Sequence, residues 1–108
     1  MAWRVEILNE AVRAELAELP LDMRARLTQI IDLMVSVGPQ RVREPYVKHL
    51  HDKLWEMRMR GRDGIARAIY LLAHEQRIVI LHAFVKKTQK TPPRAIRLAL
   101  QRAKELPP

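Results

Sequence analysis

The first half of the chain is patterned in threes and fours. From Leu21 to Val37 the apolar positions Met23, Leu27, Ile30, Ile31, Met34 and Val37 recur at the spacing of an amphipathic helix, and Gly38-Pro39 ends it. Before it, Asn9 is placed to cap a helix from Glu10 to about Glu18 that stops at Pro20. The short break between the two helices predicts an antiparallel hairpin. Trp3 to Leu8 alternates loosely, with Val5 and Ile7 on one side, and reads as a short strand.

After a mixed, polar stretch over 40–53, where Pro45 argues against a central strand, the period changes to two. Trp55, Met57 and Met59 fall on one face, where they are expected in the core, and Glu56, Arg58 and Arg60 fall on the other. Gly61-Arg62-Asp63-Gly64 signals a turn, and Ile65 to Ala73 is apolar enough for a central strand. His74-Glu75-Gln76 connects it to Arg77–Val85, the most continuous apolar run and therefore a buried strand. Thr91 is expected to cap a last helix with Pro92 at its first position and Ile96, Ala99, Leu100 and Ala103 turned inward. The predicted fold is α+β, one domain over 1–108. An N-terminal helical hairpin packs on a small, mainly antiparallel four-stranded sheet, and a C-terminal helix follows.

Charge changes this picture more than composition does. The 108 residues carry 20 Lys and Arg against 12 Asp and Glu, a net charge of +8. Acids and bases balance over 1–54, so the whole excess lies in the second half. One-sided positive charge on a small domain points to a polyanionic partner. There is no cysteine, which removes disulfides and thiolate chemistry. No segment reads as a secretory signal or a membrane span, so a cytoplasmic protein with no membrane partner is expected.

The period-two strands gather the candidate chemistry. Arg58 and Arg60 project from the face opposite Met57 and Met59, and Arg67 on the next strand reaches the same surface. His82, Phe84 and Lys86 share one parity, and Lys87 and Lys90 follow in the loop. Cations that hold phosphates beside an aromatic ring suit single-stranded RNA. Arginines on a strand face also solubilise it, and His82 in an apolar run also reads as a core histidine. Tyr70 is a further candidate RNA contact, although it shares a face with Arg67 only if a bulge intervenes. His49-Leu50-His51 has the spacing of two ligands, but further donors are not evident, so neither a metal nor another cofactor is expected. RNA carries its own nucleophile, the 2′-hydroxyl. Cleavage then needs groups that move protons and cations that stabilise the phosphorane, and Arg, Lys, His and Tyr supply both.

These residues resemble a known family. Leu54-Trp55-Glu56-Met57-Arg58, a turn, and Arg67-Ala68-Ile69-Tyr70 are similar to the central strands of RelE/ParE-superfamily toxins. The run from Ile80 to Pro92, with Lys86-Lys87-Thr88-Gln89-Lys90-Thr91-Pro92 at its end, resembles the phage-derived HigB-like branch. The resemblance implies the toxin of a type II toxin–antitoxin system, a ribosome-associated endonuclease that cleaves mRNA without a metal. It also implies a cognate antitoxin, a HigA-like helix-turn-helix protein. Carried over by position, Arg58 and Arg67 match basic residues of the family's active sheet, and Lys86 and Lys87 match the basic end of its last strand. With His82 as proton carrier, these are the catalytic candidates; Arg60, Tyr70, Phe84 and Lys90 are the candidate RNA contacts. Several members keep a catalytic tyrosine or histidine near the C-terminus. This chain ends Glu105-Leu106-Pro107-Pro108, so that role is absent or falls to His82 or Tyr70. A ParE-like inhibitor of DNA gyrase and an inactive binding module remain alternatives, because one scaffold can host different activities.

Overall fold

A computed structural model describes residues 2–86 and 90–107. Strand β1 (Arg4–Ile7) leads into helix α1 (Glu10–Ala17), where the Asn9 side chain accepts the Val12 N–H at 3.1 Å as the cap. Helix α2 (Leu21–Val37) buries Met23, Leu27, Ile30 and Met34, the three-and-four stripe. Val37, at the end of that stripe, stays exposed. The helix ends at Gly38, whose φ of 93° few other residues tolerate and whose N–H returns to the Met34 carbonyl at 2.9 Å. A 3-10 turn (Pro39–Arg41) follows.

Four strands then run in succession: β2 (Val47–His51), β3 (Leu54–Gly61), β4 (Gly64–Ala73) and β5 (Arg77–Lys86). The sheet order is β1-β5-β4-β3-β2, with β1 parallel to β5 and the other pairs antiparallel. The sheet therefore has five strands rather than the four expected. The extra strand, β2, escapes a reading by hydrophobic pattern because it is an edge strand on which only Val47 is fully buried. Helix α3 (Pro93–Ala103) closes the described chain, with Pro92 rather than Thr91 at its N-cap. No helix among the described residues is long and apolar enough to cross a membrane.

Both faces of the sheet are used. Met57, Met59, Ala66, Ala68, Tyr70, Ile78 and Ile80 pack under α1 and α2. On the reverse, Ile69, Leu71, Val79 and Leu81 pack against Ala95 and Ala99 of α3. Cover on two sides explains why β4 and β5 read as nearly continuous apolar runs. The contact between α2 and the β3–β4 turn is close. A Cβ on Gly61 would lie 2.7 Å from the Met23 and Asp22 side chains, so glycine permits the approach. Trp55 departs from its expected core position. It lies at the sheet's β2 end, 38% exposed, with its ring edge-on to His49 at 4.9 Å. With Val42, Val47, Tyr70 and Leu72 it lines an open groove of about 560 Å³.

Candidate nucleic-acid interface

The strand register sets the candidate residues in rows across β3, β4 and β5. Arg58 stands opposite Arg67, which stands opposite Phe84; one step further, Arg60, Ile65 and Lys86 align. In the other direction Glu56 aligns with Ile69 and His82. Helix α3 covers the sheet on this side around Ile69 and Leu81. The rows holding Arg58, Arg60, Phe84 and Lys86 reach solvent to varying degree, and Lys90 is exposed.

Beneath them lies a charged layer with little contact to water. Glu56 has no solvent exposure, and its carboxylate accepts the Arg58 Nε–H at 2.7 Å and the Thr91 hydroxyl. Arg67 Nε lies 3.5 Å from the same carboxylate, and that guanidinium is also fully buried. Burial pushes the Arg67 guanidinium below its ordinary pKa, Glu56 works against that change, and Arg58 adds to it. Arginine still keeps its proton at neutral pH. A lone carboxylate taken out of water costs several kcal/mol, so the two guanidinium groups are what make Glu56 tolerable there. Arg67 accordingly lies under the surface, while Arg58, partly exposed, reaches it.

A bulge in β5 shapes the other end of the face. Ile69 pairs with His82 and Tyr70 with Ile80, so Leu81 and His82 together oppose one residue of β4. His82 Nδ1 lies 2.9 Å from Glu15 Oε1 of α1, and its ring stacks on Phe84 with centroids 4.9 Å apart. Both oxygens of Glu15 accept from Arg102 of α3 at 2.9 Å, and Oε1 also accepts the Ala83 N–H at 3.1 Å. Burial by itself would raise the Glu15 pKa, but the hydrogen bonds from Arg102, His82 and Ala83 more than offset it and hold the carboxyl below its ordinary value. With Nδ1 donating to an ionised Glu15, the neutral ring of His82 has Nε2 as its acceptor nitrogen. His82 also lines a pocket of about 480 Å³ with Phe84, Lys86 and Arg94.

The structure thus brings Arg58, Arg60, Arg67, His82, Phe84 and Lys86 to one side of the sheet. Tyr70 is not among them. The bulge lies on β5 and does not turn β4 over, so Tyr70 packs beneath the N-terminal helices at 2% exposure, where burial pushes its phenol pKa up. Lys87 lies outside the described residues. Thr91, expected as a helix cap, instead gives its hydroxyl to Glu56. The pairing of Glu15 with Arg102 escapes a linear reading because 87 positions separate the two. His49, from the two-histidine spacing, has its Nε2 2.6 Å from the Asp52 carbonyl.

The same architecture occurs elsewhere. A chain in the crystal structure of the archaeal RelE–RelB complex from Pyrococcus horikoshii OT3 is similar over 83% of this chain and 100% of its own length, at 26% identity and a TM-score of 0.58. No curated protein matches the chain. The model of a phage-derived protein family, Gp49-like (DUF891), matches residues 14–104, which include every element except β1 and the first half of α1. The chain belongs to this Gp49-like family, a RelE-like family of toxins.

Proposed function

We propose that this protein is the toxin of a type II toxin–antitoxin pair and that it cleaves mRNA on the ribosome without a metal. The observation that carries the reading is the gathering of Arg58, Arg60 and Lys86 in two neighbouring rows across the sheet, with the Glu56–Arg67 pair buried beneath Arg58 and a histidine held by Glu15 at the far end. The RNA 2′-oxygen attacks the adjacent phosphorus while the bond to the 5′-oxygen breaks and that oxygen takes a proton from water, leaving a cyclic phosphate and a free 5′-hydroxyl. His82 Nε2 takes the 2′-hydroxyl proton, with Glu15 holding the ring much as a carboxylate orients a catalytic imidazole. Lys86, Arg58 and Arg60 stabilise the charge that builds on the phosphorane. Phe84 offers a stacking surface, and Arg67 adds positive potential from below. A cognate antitoxin, a HigA-like helix-turn-helix protein, restrains the activity. The RelE-like chain from the archaeon is itself crystallised with RelB.

The test is induction in growing bacteria. Protein synthesis should stop quickly, and mRNA fragments with 5′-hydroxyl ends should accumulate. Arg60→Ala combined with Lys86→Ala should lower the cleavage rate by about 10²-fold, the effect of losing a transition-state donor, without loss of folding. Continued translation together with DNA damage and filamentation would instead identify a gyrase inhibitor.

A further inference from the structure

Strand β2 pairs with β3 only as far as Met57; beyond it, the Arg58 N–H donates to the Tyr46 carbonyl at 2.8 Å, and the rest of β3 forms the edge of the sheet. Helix α2 passes beside this edge and creates two adjoining pockets. The first, about 220 Å³, is lined by Arg26 of α2, Arg58 and Arg60 of β3, and Tyr46 with its neighbours. The second, about 230 Å³, is lined by Gln29, Ile30 and Leu33 of α2. Arg26 and Tyr46 line both.

Both pockets have mainly apolar walls, and the first adds a cluster of arginines. Three arginines line the first, two from alternate positions of one strand and the third from a helix packed on the sheet's other face. Among the described residues no acidic side chain lines either pocket, and neither Arg26 nor Arg60 has an ion-pair partner. Arg58 already pairs with Glu56, but Arg26 and Arg60 gathered beside it repel one another unless an anion lies between them, and their planar forks match phosphate oxygens. The second pocket has Ile30, Leu33 and the Gln29 side chain in its wall. Tyr46, 41% exposed in spite of its size, forms part of the same wall. An aromatic face beside a cationic pocket is how proteins hold a nucleotide of a single strand.

From this geometry we infer that the paired pockets hold one nucleotide of a single-stranded RNA. Its phosphate lies between Arg26, Arg58 and Arg60, and its base lies on Tyr46 with the Gln29 amide at its edge. The strand then crosses the sheet towards His82. From β3 to β5 this is two strand spacings, about 10 Å, so the nucleotide flanks the scissile one and helps set the sequence that is cut. The inference rests on the RNA-cleaving reading above but is tested separately from it, by binding.

The probe is a fluorescein-labelled, six-nucleotide single-stranded RNA, followed by anisotropy over a range of salt concentrations. Arg26→Ala should reduce the slope of log affinity against log salt by about 0.7, the value for one lost phosphate contact on a single strand. Tyr46→Ala should weaken binding by about fivefold, the lower end for one stacked base, and Tyr46→Phe should restore it. Arg13→Ala, a cation of α1 remote from the pockets, should change nothing. An unchanged slope in Arg26→Ala, or no binding by the parent protein, overturns the inference. So does an unchanged slope accompanied by weaker capture of a polyglutamate peptide, which would assign the pockets to an acidic protein segment. If the slope changes as expected but the protein leaves translation and mRNA intact, the pockets stand and the cleavage reading alone fails.

Discussion

Glu56 and Glu15 each collect two basic side chains, one without any contact with solvent and the other at the edge of the sheet. Glu56 joins Arg58, Arg67 and Thr91 in a layer with little contact to water. Glu15, about a quarter exposed at its side chain, ties together α1, β5 and α3 through His82, Ala83 and Arg102. The difference lies in what each carboxylate leaves available. Glu56 holds one arginine out of reach and positions another. Glu15 holds one nitrogen of a histidine whose side chain also lines a pocket. The same pairing of carboxylate and cation supports the platform in one place and orients a reactive group in the other.

The largest effect should come from breaking the buried hub. Glu56→Ala leaves Arg67 charged in the interior without its carboxylate, so urea unfolding should show a loss of about 3–5 kcal/mol, and Glu56→Ala with Arg67→Met should recover much of it. A loss below about 1 kcal/mol would mean that water reaches Arg67 and that the two hubs are not different in kind. Arg102→Ala removes charge-assisted hydrogen bonds at the more open hub and should cost about 2 kcal/mol or less. It should also lower cleavage more than Arg13→Ala does, because Glu15 then no longer holds His82 firmly.

The smallest effect is a matter of pH. The folded pKa of Glu15 lies below the ordinary glutamate value of 4.5, so its contribution to stability is present above that pH and is lost as pH falls through the folded value. In Glu15→Gln the acid limb of the stability curve should therefore be shallower below pH 4.5 than in the parent protein. Superimposable acid limbs would mean that the carboxylate contributes little and that Arg102 acts on α3 alone.

Much of the fold was legible along the chain because single elements impose their own periods. Asn9, the stripe from Met23 to Met34 and Gly38 placed both N-terminal helices, and alternation placed β3 with Arg58 and Arg60 opposite Met57 and Met59. The misses share a cause. Strand β2 lies at an edge, where one buried residue suffices, and Trp55 has the parity of the helix-covered face but lies beyond the helices' reach. Thr91 has the chemistry of a cap, yet a buried carboxylate on β3 takes its hydroxyl.

The candidate site divides along the same line. Which residues of β3 share a face was determined by the sequence alone, because side chains on a regular strand alternate, whereas the bulge in β5 sets Ile80 and His82 on opposite faces. How deep each of them lies was decided only by the tertiary structure. Arg58 and Arg67 share a face, but one reaches the surface and the other is enclosed. Glu15 meets His82, and Arg26 meets Tyr46 and Arg60, only because helices from distant parts of the chain pack along the sheet's edges. Burial and long-range pairing depend on how whole elements close over one another, and no local period along the chain encodes that.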